Sequence, residues 1–253
     1  MQPQDGGEAE RAEGVPADGR AEGVAADGRA EGVAAVDRAL SILGAFREGD
    51  AALSLAELAA RTGLYKSTIL RLLASLERGR CAARLADGRW ALGPMLFHWG
   101  ALYARAQPVE RHLPAMLAEL ARRSGETASF WVRHADQRLC LARVRSPHRI
   151  RDDLSAGDLI PLPLGAAGKV LTAADPAGLG VVATFGERNP EAAGCAAAVF
   201  GLGGRLAGAI ALSGPKERMQ SQAPAHLAAV AEAASDLTRR LGGDLTPRRE
   251  QHA

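Results

Sequence analysis

Hydrogen-bond donors are concentrated in one stretch of the sequence, KSTILRLLASLER at residues 66–78. Lys66, Ser67, Thr68 and Arg71 lie within the first two turns of the helix that this stretch would form. Lysine and hydroxyl side chains suit phosphate oxygens, and an arginine can donate to two acceptors of one guanine. The row could therefore bind duplex nucleic acid; the alternative is an ordinary solvated helix face.

The apolar residues of the same stretch indicate which side of the helix is buried. With about 3.6 residues per turn, they fall opposite the polar row: Ile69, Leu72, Leu73 and Leu76. Arg78 lies on the polar side but two turns further along, where we expect it to touch the nucleic-acid backbone or nothing.

Capping and turn residues predict the elements that hold this helix. Ser54 with Glu57 three residues later forms a capping box, and Gly63 ends the short helix that follows. A first helix begins at Val36, and Asp-Gly at residues 87–88 predicts a hairpin. Helix, helix, tight turn, helix and hairpin is the order of a winged helix-turn-helix. Three further residues extend the predicted DNA contacts, one before the third helix and two beside the hairpin: Tyr65, Arg84 and Arg89.

Residues 94–242 predict a mixed α/β region. PMLFHWGALYAR predicts a helix whose aromatic residues would suit packing against a partner subunit: Phe97, Trp99 and Tyr103. An amphipathic helix, a hairpin over residues 126–146, a helix from about Ala166, three more strands and a final helix from about Pro224 follow. The sheet is expected to be largely antiparallel.

Other chemistries find little support in the sequence. GAAGK, residues 165–169, has two residues between its glycines and Val170 after its lysine, whereas a nucleotide-binding loop needs about four and then Ser or Thr. Three cysteines without a CxxC pair and six histidines without ligand spacing predict neither disulfides nor a metal site. Without paired carboxylates or a nucleophile elbow, we expect no catalytic residues and no cofactor.

Composition and charge predict where the folded part begins. Residues 1–35 hold eight Asp/Glu and three Arg, a net charge of −5, so the remainder carries +7 within the overall +2. Copies of a nine-residue repeat, RAEGVPADG, fill most of this arm with little apolar surface, so we expect disorder. The arm could compete weakly with DNA for the basic surface or be an inert leader. Without a secretion signal or an apolar run of about 18 residues, the protein is expected in the cytoplasm and off the membrane.

Several blocks together resemble the isocitrate-lyase-regulator (IclR) family of bacterial transcription factors. They are VDRALSILGAF, SLAELAARTGLYKSTILRLLASLERG, RLADGRWALGP, SGETASFWV, IPLPLGAAGKVLTA and AAAVFGLGGRLAGAIALSGPKERM. The resemblance spans residues 36–242. It implies an α+β fold in which a linker helix joins an N-terminal winged helix-turn-helix to a C-terminal effector-binding α/β domain of GAF-like or profilin-like shape.

The resemblance, with the composition, implies a domain order. We expect the acidic repeat arm at residues 1–35, the DNA-binding domain at 36–93, the linker helix at 94–107, the effector-binding domain at 108–242 and a disordered tail at 243–253. The resemblance also implies a homodimer or homotetramer on palindromic double-stranded DNA operators beside catabolic operons. The implied effectors are small organic acids or aromatic compounds.

In the family, the effector lies beside the Gly/Ala turn before the GK helix and against the last strands. By motif this implies contacts from the backbone amides of Ala166 and Ala167 and from the residues that face them: Thr184, Gly194, Ala211 and Ser213. Phe130 and Arg143, on the hairpin strands, could add an aromatic wall and a counter-charge, or serve only the sheet surface.

The sequence departs from its relatives in two ways. Those that bind small hydroxy or keto acids have Asp, Cys and Ser where Thr184, Gly194 and Ala211 stand here, so a larger or more apolar carboxylate is expected. Only PAGLGV remains where the family usually carries extra helical structure, so the pocket is expected to be open on one side or closed by a neighbouring subunit. Two functions follow: a ligand-responsive regulator, or an oligomeric DNA-binding protein whose degenerate sensor answers no ligand.

Overall fold

The computed structural model describes residues 32–47, 49–150 and 154–244. Of the arm (residues 1–35) and the tail (residues 243–253) predicted to be disordered, residues 1–31 and 245–253 lie outside the described residues. The predicted end of the arm is two residues too late, because the first helix already begins at Ala34. The chain divides into two compact units after Pro94. Within the described ranges, no helix is both long and apolar enough to cross a membrane.

The first unit contains three helices followed by a hairpin. Its elements are, in chain order, α1 (Ala34–Leu43), α2 (Leu55–Thr62), α3 (Lys66–Arg78), β1 (Ala82–Arg84) and β2 (Trp90–Leu92). The two strands pair antiparallel, and Leu53 adds a bridge to Trp90. The winged helix-turn-helix order predicted from the sequence is confirmed.

A small apolar core holds the first unit together. Ile42 of α1, Leu58 of α2 and two residues of α3, Ile69 and Leu73, are fully buried, and Trp90 of β2 packs with them. Full burial of such side chains contributes about 1.5–3 kcal/mol each. The face of α3 that this core does not use therefore stays at the surface.

The second unit is built on a six-stranded antiparallel sheet. Its strands are β3 (Thr127–His134), β4 (Gln137–Val144), β5 (Leu159–Pro161), β6 (Val181–Phe185), β7 (Ala192–Phe200) and β8 (Leu206–Pro215). Their order across the sheet is β5-β4-β3-β8-β7-β6, and every neighbouring pair is antiparallel. The predicted antiparallel sheet is confirmed.

Helices cover both faces of this sheet. They are α5 (Leu113–Ser124), α6 (Gly165–Thr172), α7 (Lys216–Ser221) and α8 (Ala223–Arg240). Before them in the chain come α4 (Pro94–Ala106), none of whose residues is buried, and a short 3-10 helix at Pro108–Arg111. Buried residues of α5 and α8 share one core with one face of the sheet, and those of α6 share a second core with the other. The sequence did not predict α7, which separates β8 from α8.

A bulge in β4 determines which of its side chains reach the α6 face. In the pairing of β3 with β4, Phe130 lies opposite Ala142 and Trp131 opposite Cys140, so Leu141 is skipped. Side chains alternate along a strand, and one extra residue reverses the alternation. Arg138 and Arg143, an odd number of positions apart, therefore line the same cleft.

Candidate functional site

The capping box and the turn at Gly63 position the start of α3. The Ser54 hydroxyl accepts from the Glu57 amide at 3.2 Å, and the Ser54 amide donates to the Glu57 carboxylate at 2.7 Å. Gly63 ends α2 in the left-handed region at φ +69°, which a glycine adopts without strain. Arg61 forms an ion pair with Asp50 and so ties the end of α2 to the turn before it.

Most of the DNA-contact row predicted from the sequence is exposed on α3. Tyr65, just before the helix, is 85% exposed. Lys66, Ser67 and Arg71 are exposed, and Thr68 is half-buried. The first turn holds no acidic residue, so the amide groups at the helix start are free to favour an anion. The front of α3 can therefore present charge, hydroxyls and backbone donors to a phosphate-rich partner.

The same face holds a residue that the sequence reasoning missed. Leu70, 46% exposed, follows Ser67 by three positions and directly precedes Arg71. Its position along the helix places it outside the buried apolar stripe of α3, and this spacing could have identified it from the sequence. Arg78 is also exposed, and its guanidinium donates to the Ser75 hydroxyl at 3.2 Å.

The wing presents both predicted arginines at its surface. Arg89 Nε donates to the Asp87 carboxylate at 2.7 Å, and its amide donates to the same carboxylate at 3.0 Å. The guanidinium of Arg84 lies 5.9 Å from the centre of the Trp90 ring. To bind a phosphate, Arg89 must exchange its exposed ion pair with Asp87, which costs little in water.

Seven of the eight residues predicted for the effector line one cleft on the α6 face of the sheet. The cleft, with its open mouth, encloses about 530 Å³. Residues from α6 and from four strands contribute: Ala166, Ala167, Arg143, Thr184, Gly194, Ala211 and Ser213. The fold thus brings together residues that are up to 70 positions apart in the sequence.

Phe130, the eighth, does not line the cleft, so the predicted aromatic wall is wrong by one residue. Phe130 is fully buried in the core that α5 and α8 share with the other face of the sheet. Because side chains alternate along β3, Trp131 faces the cleft instead. The Trp131 indole N–H donates to the Ser129 hydroxyl at 2.8 Å.

A buried guanidinium, Arg138 of β4, is the cleft feature that sequence reasoning missed. Arg138 is only 4% exposed, lies 4.8 Å from the centre of the Trp131 ring and donates to the Leu164 carbonyl. Within the described part of the chain, its Nε has no acceptor and its side chain pairs with no carboxylate. Burial, aided by the charge of Arg188, lowers the pKa of Arg138 to about 10, so the group is cationic at neutral pH.

Two further arginines belong to the described lining of the cleft. Arg143 and Arg188 also line it, and burial lowers the pKa of Arg143. Among the lining residues that the structure describes, the one acidic residue is Glu187, which is paired with Lys169 of α6. The first amides of α6 have no partner within the helix, and the helix start carries a partial positive charge that also favours an anion. The arrangement is suited to hold an anion.

Close backbone contact fixes α6 against the cleft. A Cβ atom at Gly168 would lie 2.6 Å from the Pro163 carbonyl oxygen and 2.8 Å from Arg138 Nη1. Real atoms do not approach so closely, so a side chain here would push α6 or the arginine away. Gly168 therefore sets the distance between the helix start and the guanidinium.

Comparison with known proteins gives the family. The model of the IclR helix-turn-helix domain matches residues 35–85, and that of the bacterial transcriptional regulator IclR C-terminal domain matches residues 101–179. Together they cover 130 of the 253 residues, just over half of the chain. The helix-turn-helix match includes α3, and the second match includes α6.

Curated transcriptional regulators also match the chain. The HTH-type transcriptional regulator BhcR of Paracoccus denitrificans is 29% identical over 235 residues, which are 79% of this chain and 83% of that protein. Six further curated relatives, including glycerol operon regulatory proteins of two Streptomyces species, match over about half of their own length.

Solved structures show the same fold. An IclR-type regulator from Alicyclobacillus acidocaldarius superposes with a TM-score of 0.72 at 22% identity, over 84% of this chain and 100% of that one. An IclR homologue from Microbacterium hydrocarbonoxydans, solved with 4-hydroxybenzoate, gives 0.70 at 18% identity, over 82% and 99%. The resemblance seen in the sequence is thereby confirmed, and the chain belongs to the IclR family of bacterial transcriptional regulators.

Proposed function

We propose that the chain is a sequence-specific DNA-binding regulator of a catabolic operon rather than an enzyme. It acts in the cytoplasm, and its DNA affinity responds to a small organic or aromatic acid. The observation that carries the DNA-binding part is α3, whose donor-rich face is exposed and free of acid in its first turn. Two relatives named as glycerol operon regulatory proteins support the link to a catabolic operon.

In this proposal, the front of α3 enters the major groove of a double-stranded operator. Arg71 donates to the two acceptors of a guanine. Phosphates and base edges receive the remaining contacts, from Tyr65, Lys66, Ser67 and Thr68 on α3 and from Arg84 and Arg89 on the wing. Arg78, the last residue of α3 and two turns beyond Arg71, reads no base.

A second copy of the chain covers α4. None of the thirteen residues of this fully described helix is buried, and Phe97 is 84% exposed. Trp99, Leu102 and Tyr103 are about half exposed. Aromatic residues are enriched in the cores of protein interfaces. A symmetric dimer or tetramer presents its reading helices in pairs, which suits a palindromic operator.

The effector part of the proposal is carried by Arg138. A buried charge without a counter-ion is costly, and an incoming carboxylate would compensate it and give Nε an acceptor. The amides at the start of α6, near Ala166 and Ala167, and the Ser213 hydroxyl lie in the same lining. Most of the remaining wall is apolar or small, including Leu154 and Ala211, which suits an organic acid with an apolar or aromatic body.

DNA selection tests the first part. The full chain is used to select duplexes from a random-sequence library, and the affinity of the selected duplex is measured for the wild type and two variants. Arg71→Ala is expected to weaken binding by about 1–3 kcal/mol with folding intact. Arg78→Ala, the matched control on the same helix, is expected to change sequence preference little. Failure to select any sequence would contradict the proposal.

Thermal stability tests the second part. Benzoate, 4-hydroxybenzoate and short dicarboxylates are compared with neutral benzamide, since a ligand that binds the folded state raises its melting temperature. An acid is expected to raise it and to alter DNA affinity, whereas benzamide is expected to do neither. If no acid changes melting or DNA release, the chain is instead a DNA-binding oligomer with a degenerate sensor.

A further inference from the structure

The inference concerns Leu70, and it rests on the proposed DNA-binding function. The apolar residues of α3 that build the core lie on the other side of the helix, and two of them are fully buried. Leu70 is 46% exposed and has no part in that core. In the sequence it lies between the two exposed positions that would face the DNA, Ser67 one turn earlier and Arg71 directly after it.

Helix geometry places Leu70 beside the proposed guanine contact. With about 100° of rotation per residue, Leu70 and Arg71 flank the direction of Ser67 on its two sides. Ala74, also exposed, lies between them one turn later. An α3 docked in the major groove through Ser67 and Arg71 therefore brings the Leu70 side chain to base edges rather than to solvent.

The major-groove edges of the bases offer one methyl group, the C5-methyl of thymine, and the other groups by which the base pairs are distinguished there are hydrogen-bond donors and acceptors. A leucine pressed against an acceptor or a donor would leave it without water or partner, at a cost. The residues of α3 include no Asn or Gln, the side chains that pair with adenine in two places. Besides the hydroxyls of Ser67 and Thr68, which can bond to more than one kind of base, this face of α3 supports guanine pairing and apolar contact.

We propose that Leu70 packs on the C5-methyl group of a thymine next to the guanine contacted by Arg71, and that this contact helps to specify each half-site. Exposed leucines are common on protein surfaces, and most have no role. Leu92 of β2 is an equally exposed leucine in the same unit, at 48%, and lies at the end of the wing strand away from the Asp87–Gly88 turn. It provides a matched control.

Replacing thymine by uracil tests the contact, because it removes the methyl group and keeps the base pair. A duplex selected from a random library by the full chain is resynthesised with uracil at one thymine at a time, and Kd is measured at fixed salt. At one position per half-site, the wild type is expected to lose about fourfold in affinity, the effect of one buried methyl-sized group. Leu70→Ala is expected to bind the thymine duplex more weakly and to bind both duplexes equally. Leu92→Ala is expected to behave as the wild type does.

Two outcomes would overturn the inference alone: a wild type that binds thymine and uracil duplexes equally, or a Leu70→Ala variant that keeps the wild-type preference for thymine. Circular dichroism during melting checks the fold of each variant, and Leu70→Ala is expected to melt with the wild type because its side chain is outside the core. If the full chain selects no sequence at all, the proposed function fails and the inference fails with it. The two failures are therefore distinguishable.

Discussion

Replacement of Arg138 by methionine separates the role of this residue in the fold from its role in the cleft. The lowering of its pKa from 12.5 to about 10 corresponds to a cost of about 3 kcal/mol for keeping the guanidinium charged in the fold. The charged hydrogen bond to the Leu164 carbonyl stabilises the folded state by about 1.5–3 kcal/mol, and the contact of the guanidinium with the Trp131 ring does so by about 0.5–2 kcal/mol. These contributions nearly cancel.

Arg138→Met is therefore expected to leave the free energy of unfolding within about 1 kcal/mol of the wild type. A truncation in the apolar core would instead cost about 2–5 kcal/mol. Urea unfolding followed by circular dichroism measures the difference at constant slope. Affinity for an acid that stabilises the wild type is expected to fall about tenfold to a hundredfold, because a charge-assisted hydrogen bond is lost.

Arg122→Met is the matched control for the loss of one positive charge. Arg122 is exposed on α5, against the other face of the sheet, and pairs with Glu119. It is expected to change neither acid affinity nor, by more than about 0.5 kcal/mol, stability. A loss of stability above about 3 kcal/mol in Arg138→Met would make Arg138 a structural group, and unchanged acid affinity would remove it from the binding site.

Three further predictions concern the first unit, the wing and α4. Hydrogen bonds from Ser54 hold the pKa of Glu57 below its ordinary value. The ionised carboxylate therefore stabilises the fold above the pKa that Glu57 has in the unfolded chain, and this stabilisation is lost as the pH falls through the pKa in the folded protein. Glu57→Gln is expected to flatten the pH dependence of the free energy of unfolding between neutral pH and pH 3, and parallel curves for variant and wild type would contradict this. Gly93→Ala is expected to destabilise the first unit by about 1–3 kcal/mol in urea unfolding, because the new Cβ would lie 2.1 Å from a backbone oxygen. Gly44→Ala in the same unit, where the nearest atom would be 3.5 Å away, is the control, and equal midpoints for the two variants would refute the clash. Phe97→Ser is expected to lower the oligomer mass in light scattering, and an unchanged mass would place the interface elsewhere.

Local signals explain why the helix-turn-helix could be predicted from the sequence. A capping box, a glycine in the left-handed region and an Asp-Gly turn each depend on a few consecutive residues. Ser54, Glu57 and Gly63 adopt the conformations that their types favour. Since α3 begins three residues after Gly63, its start at Lys66 follows from these neighbours, and Gly79 marks its end after Arg78.

The residues that line the cleft were harder to predict from the sequence, because strand register decides on which face of the sheet each side chain lies. Phe130 and Trp131 are adjacent aromatics, and only the alternation observed in β3 determines which one meets the cleft. The skipped Leu141 brings Arg138 and Arg143 to one face, and no residue type signals that bulge. An arginine in a strand is usually exposed, so the burial of Arg138 follows only from its position between Trp131 and the start of α6.

The central claim is that an anion in the cleft controls DNA binding by α3. The direct measurement is the Kd of the full chain for its selected duplex, with and without a saturating acid that raises the melting temperature, in the wild type and in Arg138→Met. The wild-type Kd is expected to change about fivefold or more, with the same factor in the acid affinity when DNA is bound. Arg138→Met is expected to need about tenfold to a hundredfold more acid for the same change in Kd. An acid that binds the wild-type cleft and leaves its DNA affinity unchanged would contradict the account.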